Sequence, residues 1–125
     1  MREIKFRAWD KKSKIMSVGV DLYNGLESWE KDRAIIMQYT GLFDKNGVEI
    51  YEGDIVKDLR SFFKDARSYS KVFYQEDRGR FVFGGWEIPA GMSHTFEVIG
   101  NIYENQELLE DKKCIKKYQF IELKR

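Results

Sequence analysis

A chain of 125 residues, 42% hydrophobic and 15% aromatic, has the length and apolar content for one domain around one packed core. The formal net charge of +1 argues against a uniformly basic nucleic-acid binder, and the single cysteine, Cys114, excludes an intramolecular disulfide and fits a reducing compartment. No apolar run reaches the roughly 18–20 residues that span a membrane, and no apolar leader follows Met1, so the expected location is cytoplasmic.

In chain order, Ile4-Lys5-Phe6-Arg7-Ala8-Trp9 alternates, predicting a half-buried strand with Ile4, Phe6 and Ala8 on one side. The polar stretch 10–14 reads as a turn and Ile15 to Val18 as the second strand of a hairpin. Residues 19–32 read as irregular, with Trp29 as their large anchor. Residues 34–39 are an apolar run of strand length, and residues 40–48 turn the chain. Asn46-Gly47 suits a type I′ turn, whose two central residues need positive φ. A short strand at 48–51, a glycine turn at Gly53 and a strand at 54–57 complete this densest block of folding signals.

The β rhythm breaks over residues 57–71. Leu59, Phe62, Phe63, Ala66 and Tyr69 fall on one third of a helical wheel, predicting a short amphipathic helix capped by Asp58 or Ser61. Lys57, Arg60, Lys64, Arg67 and Lys71 fall on the adjacent face. These five are the candidate contacts for nucleic acid or a protein partner, since cations in a row can track phosphates while Phe63 or Tyr69 stacks. The same pattern also describes a solvated helix face.

Beyond it, 72–74 and 81–83 flank the charged glycine turn 76–80 and predict another hairpin. Gly84-Gly85 ends it, and Trp86 to Met92 reads as a loop around Pro89. A strand is expected at 94–99, and Gly100 is expected to bulge or bend the chain. Asn105 then suits the N-cap of a short helix at 106–110, and 118–123 suits an edge or inter-subunit strand. The expected fold is mainly β: a small antiparallel barrel or sandwich of about 7–9 short strands with one or two short helices. It forms a single domain over 1–125, with a core of 1–110 and a basic segment at 111–125.

Charge is segregated: +4 over residues 1–14, +5 over 112–125 and −8 between. The ends read as solubilising tails, as docking strips for an acidic surface of the same or a neighbouring subunit, or as nucleic-acid contacts. No catalytic set stands out. His94 is the sole histidine, and no ligand spacing around it suggests zinc. Its pairing with Cys114 as a nucleophile dyad has no supporting spacing. Residues 44–47 resemble the start of a calcium loop without its later ligands and read as a turn. Glu52 and Asp54, around Gly53, suit capping or hydration more than acid–base chemistry. The residues therefore predict no cofactor, no metal, no small-molecule substrate and no enzyme.

Three stretches resemble the YopX family of phage and prophage proteins: 1–10 (MREIKFRAWD), 38–56 (QYTGL, DKNG and IYEGDIV) and 98–105 (VIGNIYEN). The resemblance implies a mostly-β fold, a temperate phage or prophage of a low-GC Gram-positive host, and homo-oligomeric assembly. It implies no enzyme activity and carries over no catalytic residue. Gln106 stands where the family often has proline, and 57–71 lies outside the shared stretches. The expected role is a non-enzymatic structural or interaction module, with a nucleic-acid-binding barrel as the alternative.

Overall fold

The computed structural model describes residues 3–20, 32–63, 65–83, 86–87 and 95–109. Expectations placed on Trp29, Lys64, Gly84-Gly85, Pro89, His94, Cys114 and the strand at 118–123 lie outside the described residues. Nine strands are present among those described: β1 (Phe6–Asp10), β2 (Ile15–Val18), β3 (Ala34–Phe43), β4 (Glu49–Tyr51), β5 (Asp54–Asp58), β6 (Tyr69–Gln75), β7 (Arg80–Phe83), β8 (Trp86–Glu87) and β9 (Phe96–Asn101). They form two antiparallel sheets, ordered β2-β1-β3-β4 and β8-β7-β6-β5-β9.

The β1–β2 hairpin forms as expected, with Asp10 opposite Ile15 and Arg7 opposite Val18. β1 is nevertheless not half-buried. It lies between β2 and β3, and Arg7, Ala8, Trp9 and Asp10 are all buried, while Ile4 is exposed and precedes the strand. Covering both faces removes the polar-out side that the alternation implied.

β3 is longer than its apolar run. It pairs with β1 through residues 34–38, bends where its register shifts and Gly41 takes a φ of 87°, then pairs with β4. The Thr40 hydroxyl donates to the Ile50 carbonyl at 2.7 Å and accepts the Leu42 amide, so the bend leaves its backbone groups engaged. The following turn is not type I′, because among the described residues only Lys14 and Asp32 have positive φ without being glycine. The Gly47 amide closes back on the Asp44 carbonyl, and Gly47 alone carries the left-handed conformation, at 80°. A type I turn followed by a glycine bulge has this pattern.

The expected helix over 57–71 is replaced by strands at both ends. β5 runs through Asp58, Leu59 and Arg60 make a turn, Phe62 and Asp65 lie in bends, a single 3-10 turn covers Ala66–Ser68, and β6 begins at Tyr69. Ladder pairing decided this: Lys57 sits opposite Tyr69 and Ile55 opposite Lys71, so the helical spacing of apolar residues was fortuitous. β6 and β7 form the expected hairpin, and Trp86–Glu87, expected as loop, adds a short strand to β7.

The core lies between the sheets. Ile50, from the first sheet, packs with Val56, Val72, Phe83 and Phe96 from the second, and Leu42 and Val98 border them. The Phe83 and Phe96 rings are 4.5 Å apart between centroids. Each such side chain contributes about 1.5–3 kcal/mol through its buried area.

β9 bulges as Gly100 suggested: Ile55 faces Gly100 but Val56 faces Val98, leaving Ile99 unmatched. Asn105 does not cap the helical turn at 107–109; its Oδ1 reaches back to accept the Asn101 amide at 3.1 Å. A Cβ on Gly100 would stand 2.5 Å from that Oδ1 and 2.7 Å from the Asn105 Cγ. Gly100→Ala is therefore expected to cost about 1–3 kcal/mol, the range for overpacking a filled site. Urea denaturation of Gly100→Ala, Asn105→Gly and the double variant checks it. The double variant should cost less than the two singles together; strict additivity would place the damage elsewhere.

Candidate functional site

The turn at 51–54 carries the chain from the first sheet into the second. Gly53 has a φ of 84°, donates its amide to the Val72 carbonyl at 2.8 Å and accepts the Ile102 amide at 2.9 Å. A Cβ there would meet Met37 Sδ at 3.0 Å and Tyr103 at 3.5 Å, so both glycine's permissive backbone and its missing side chain are used.

Directly under the turn lies a buried ion pair. Arg7 Nη2 is 2.8 Å from Asp54 Oδ1, and the two side chains are 9% and 3% exposed. Arg7 also donates to the Glu52 carbonyl, while Asp54 Oδ2 accepts the Tyr51 amide at 2.8 Å. The guanidinium sits 4.8 Å from the centre of the Tyr51 ring, a cation–π contact. Arg7 Nε and the Tyr51 hydroxyl are buried with no hydrogen-bond partner among the described residues. Burial pushes the Asp54 carboxyl above its ordinary value, opposed by Arg7 and by the Tyr51 amide. Burial likewise raises the Tyr39, Tyr51 and Tyr103 hydroxyls.

Beside the turn is a cleft of about 170 Å³. Ile35, Ile36, Met37, Val72 and Phe73 contribute its apolar walls with Ile102 and Tyr103, and Glu52 and Lys71 are its charged members. Trp9 stacks on Tyr103 at 5.7 Å. Glu52 Oε1 accepts the Gln38 amide at 2.9 Å, so Glu52 and Asp54 both cap backbone donors, as expected, although Asp54 is too deeply buried for hydration.

Two further carboxylates hold the frame. Asp44, buried in the β3–β4 turn, accepts the Asn46 and Val48 amides on Oδ1 and the Val98 amide of β9 on Oδ2, at 2.8, 2.9 and 2.9 Å. The Lys45 amide adds a bond to the Phe96 carbonyl, so the outer edge of β9 is stitched to the first sheet. Asp44 is thus a turn residue, as its context indicated, and its oxygens bind backbone. Asp10 holds Arg33 through both oxygens, at 2.8 and 2.7 Å.

Arg33 is the chief cause of an Asp10 carboxyl held well below its ordinary 3.8; burial opposes it, and Ser13 and the Lys12 amide assist. A depressed folded value gives stability present above the unfolded pKa and lost as pH falls through the folded one. The raised value at Asp54 has the opposite sign: its contribution is present below 3.8 and is lost as pH rises through the folded value. Asp10→Asn should therefore flatten the loss of stability between about pH 4 and pH 2. Urea midpoints across that range test the sign; an unchanged acid limb would remove Asp10 from the account.

The four described members of the predicted basic face, Lys57, Arg60, Arg67 and Lys71, are not gathered on one side. Lys57 and Lys71 share a side of the β5–β6 ladder by register, Lys71 at the cleft, while Arg60 and Arg67 lie in the connection. Lys64 lies outside the described residues. Each arginine is clipped to the aspartate two residues before it. Asp58 Oδ1 accepts the Arg60 amide at 2.9 Å and Nε at 3.3 Å; Asp65 accepts the Arg67 amide at 3.0 Å and its guanidinium at 2.7–3.2 Å. Arg67 lowers the Asp65 carboxyl to about 2. Arg67 also lies 3.9 Å from the Phe63 ring centre, and Arg60 5.4 Å from that of Phe96. The repeated Asp-x-Arg spacing was readable in sequence as two local clips. Arg7 gave a weaker signal, an arginine inside a strand otherwise fit for burial.

Residues 20–110 match the family model described as YopX protein. The chain belongs to the YopX family. The crystal structure of protein EF1440 from Enterococcus faecalis is similar to it, with a TM-score of 0.66 and 32% identity over 87% of this chain and 99% of that one. No curated protein matches the chain. The matched span holds the two later resembling stretches, the YopX turn at 51–54 and all of 57–71, while 1–10 precedes it. No helix among the described residues is long and apolar enough to cross a membrane.

Proposed function

We propose that this chain is a phage- or prophage-encoded accessory protein that acts in the host cytoplasm by self-association rather than by catalysis. The observation that carries the reading is the amount of large apolar side chain left on the surface. Ile4, Ile15, Val18, Phe43, Val48, Phe62, Phe63, Phe73 and Tyr74 are all exposed. Scattered apolar residues are ordinary on a monomer, but an exposed pair in ring contact such as Phe62-Phe63, 5.8 Å between centroids, marks a contact surface. Membership of the YopX family supports the phage origin. The buried carboxylates Asp44 and Asp54 direct their oxygens at backbone amides and at Arg7, which supports a structural role for them. Light scattering at micromolar concentration tests the proposal: an oligomer is expected, and a clean monomer would remove it.

The nucleic-acid reading rests on Lys57, Arg60, Lys64, Arg67 and Lys71 and draws less support. Without the helix the four described ones form no single row, and the Asp58 and Asp65 clips offset the charge of two of them. DNA binding at low salt that weakens steeply as salt rises would restore it.

A further inference from the structure

The most exposed large apolar side chain described is Phe62, at 91%. It does not hang from a plain loop. The Asp58–Arg60 clip precedes it, the Ser61 amide bonds the Asp58 carbonyl at 3.2 Å, and the Phe63 amide bonds the Ser61 hydroxyl at 3.1 Å. Behind it Phe63 packs edge-on to its ring at 5.8 Å and is itself covered by Arg67, which Asp65 holds. The connection between β5 and β6 is thus built to present one bare aromatic ring. Holding such a ring in place before contact reduces the ordering cost of binding.

The cleft beside the 51–54 turn is the matching feature. At about 170 Å³ it falls below the roughly 300–1,000 Å³ of ordinary ligand pockets and suits a single large side chain. Its lining residues Ile35, Ile36, Met37, Val72 and Tyr103 are of kinds that pack well against an aromatic ring. Its charged members are one of each sign, Glu52 and Lys71, and the Phe62 loop carries the Asp58–Arg60 and Asp65–Arg67 pairs, with about half of the Arg60 and Asp65 side-chain surface still open.

We infer that Phe62 of one copy docks in the cleft of a second copy of this chain. Arg60 then faces Glu52 and Asp65 faces Lys71 at the rim. The inference rests on the self-association reading above and names its surface. A copy does not fill its own cleft. Gly53, just before β5, and Asp58, its last residue, are about 17 Å apart at the rise of an extended strand, and the Phe62 loop continues beyond Asp58. Reciprocal exchange makes a two-fold pair, and one-way docking makes a ring where its rotation closes and an open filament where it does not.

Two measurements on the full chain test this. Light scattering across a dilution series compares the wild type with Phe62→Ser, a change at an exposed position whose fold is checked by circular dichroism. Phe62→Ser should weaken association at least about tenfold, as expected for an anchor residue. A benzophenone amino acid placed at position 62 should photo-crosslink between copies to the cleft segments 35–37, 71–73 or 102–103. If the wild type assembles and Phe62→Ser assembles equally well, or the crosslinks fall elsewhere, this inference fails and self-association stands. A monomeric wild type removes both.

Discussion

Asp54→Ala is expected to destabilise the protein by about 3–5 kcal/mol, the cost of leaving a buried charge without its partner. That is a large share of the roughly 5–15 kcal/mol that holds a domain of this kind together. The substitution strands the Arg7 guanidinium in a setting where it is 9% exposed, and it removes the acceptor for the Tyr51 amide. The Tyr51 ring face remains, and cation–π attraction offsets about 1–2 kcal/mol at a desolvated site. Urea denaturation should show a lower midpoint with an unchanged slope, as a stability change without a change in unfolded surface requires. The double variant Arg7→Met/Asp54→Leu should recover part of the loss, because it buries no charge. Recovery stays incomplete, since the Tyr51 amide and the Glu52 carbonyl have still lost side-chain partners. A single-variant loss below about 1 kcal/mol, typical of exposed ion pairs, would mean that water reaches the pair.

The second large effect is expected at Asp44. Asp44→Ala removes the acceptor for the amides of Asn46, Val48 and Val98 together. The exposed Asn46 and Val48 amides can turn to water, so the loss is set mainly by the half-buried Val98 donor, about 1–3 kcal/mol. The damage is not confined to the turn. Val98 lies on β9, so the change opens the seam where the β3–β4 turn protects that strand's outer edge. Hydrogen exchange should show faster exchange at Val98 than in wild type, with the Val72–Phe83 hairpin pairing less affected. Equal acceleration throughout both sheets would argue instead for a single cooperative unit. Asp44→Asn, which retains one carbonyl oxygen, should lose less than Asp44→Ala.

Both residues were visible in sequence as turn residues, and that much was correct. Asp44 opens Asp-Lys-Asn-Gly, and Asp54 closes Tyr-Glu-Gly-Asp. Local chemistry does not announce the distant partner. Val98 is 54 residues from Asp44, and Arg7 is on another strand altogether. The excursion at 59–68 departs from the expected helix for a related reason. Its apolar residues repeat with helical spacing, but Lys57 and Tyr69 pair as neighbouring strand residues. A ladder with a partner on each side of β5 outcompetes a short amphipathic helix, whose stability rests on tertiary packing. The four described cations assigned to one helix face are therefore divided between the β5–β6 ladder and its connection.

The sequence alone determined the fold class, most strand positions and the positive-φ glycines at 47 and 53. Those are local quantities, set by alternation, turn chemistry and the lack of a Cβ. Its stretches at 38–56 and 98–105 also pointed to the family. Only the tertiary structure decided that β1 is buried on both faces, that Arg7 and Asp54 neutralise each other beneath the 51–54 turn, and that a cleft opens beside it. These depend on which strands become neighbours, a choice made by long-range pairing and burial that no window of consecutive residues contains.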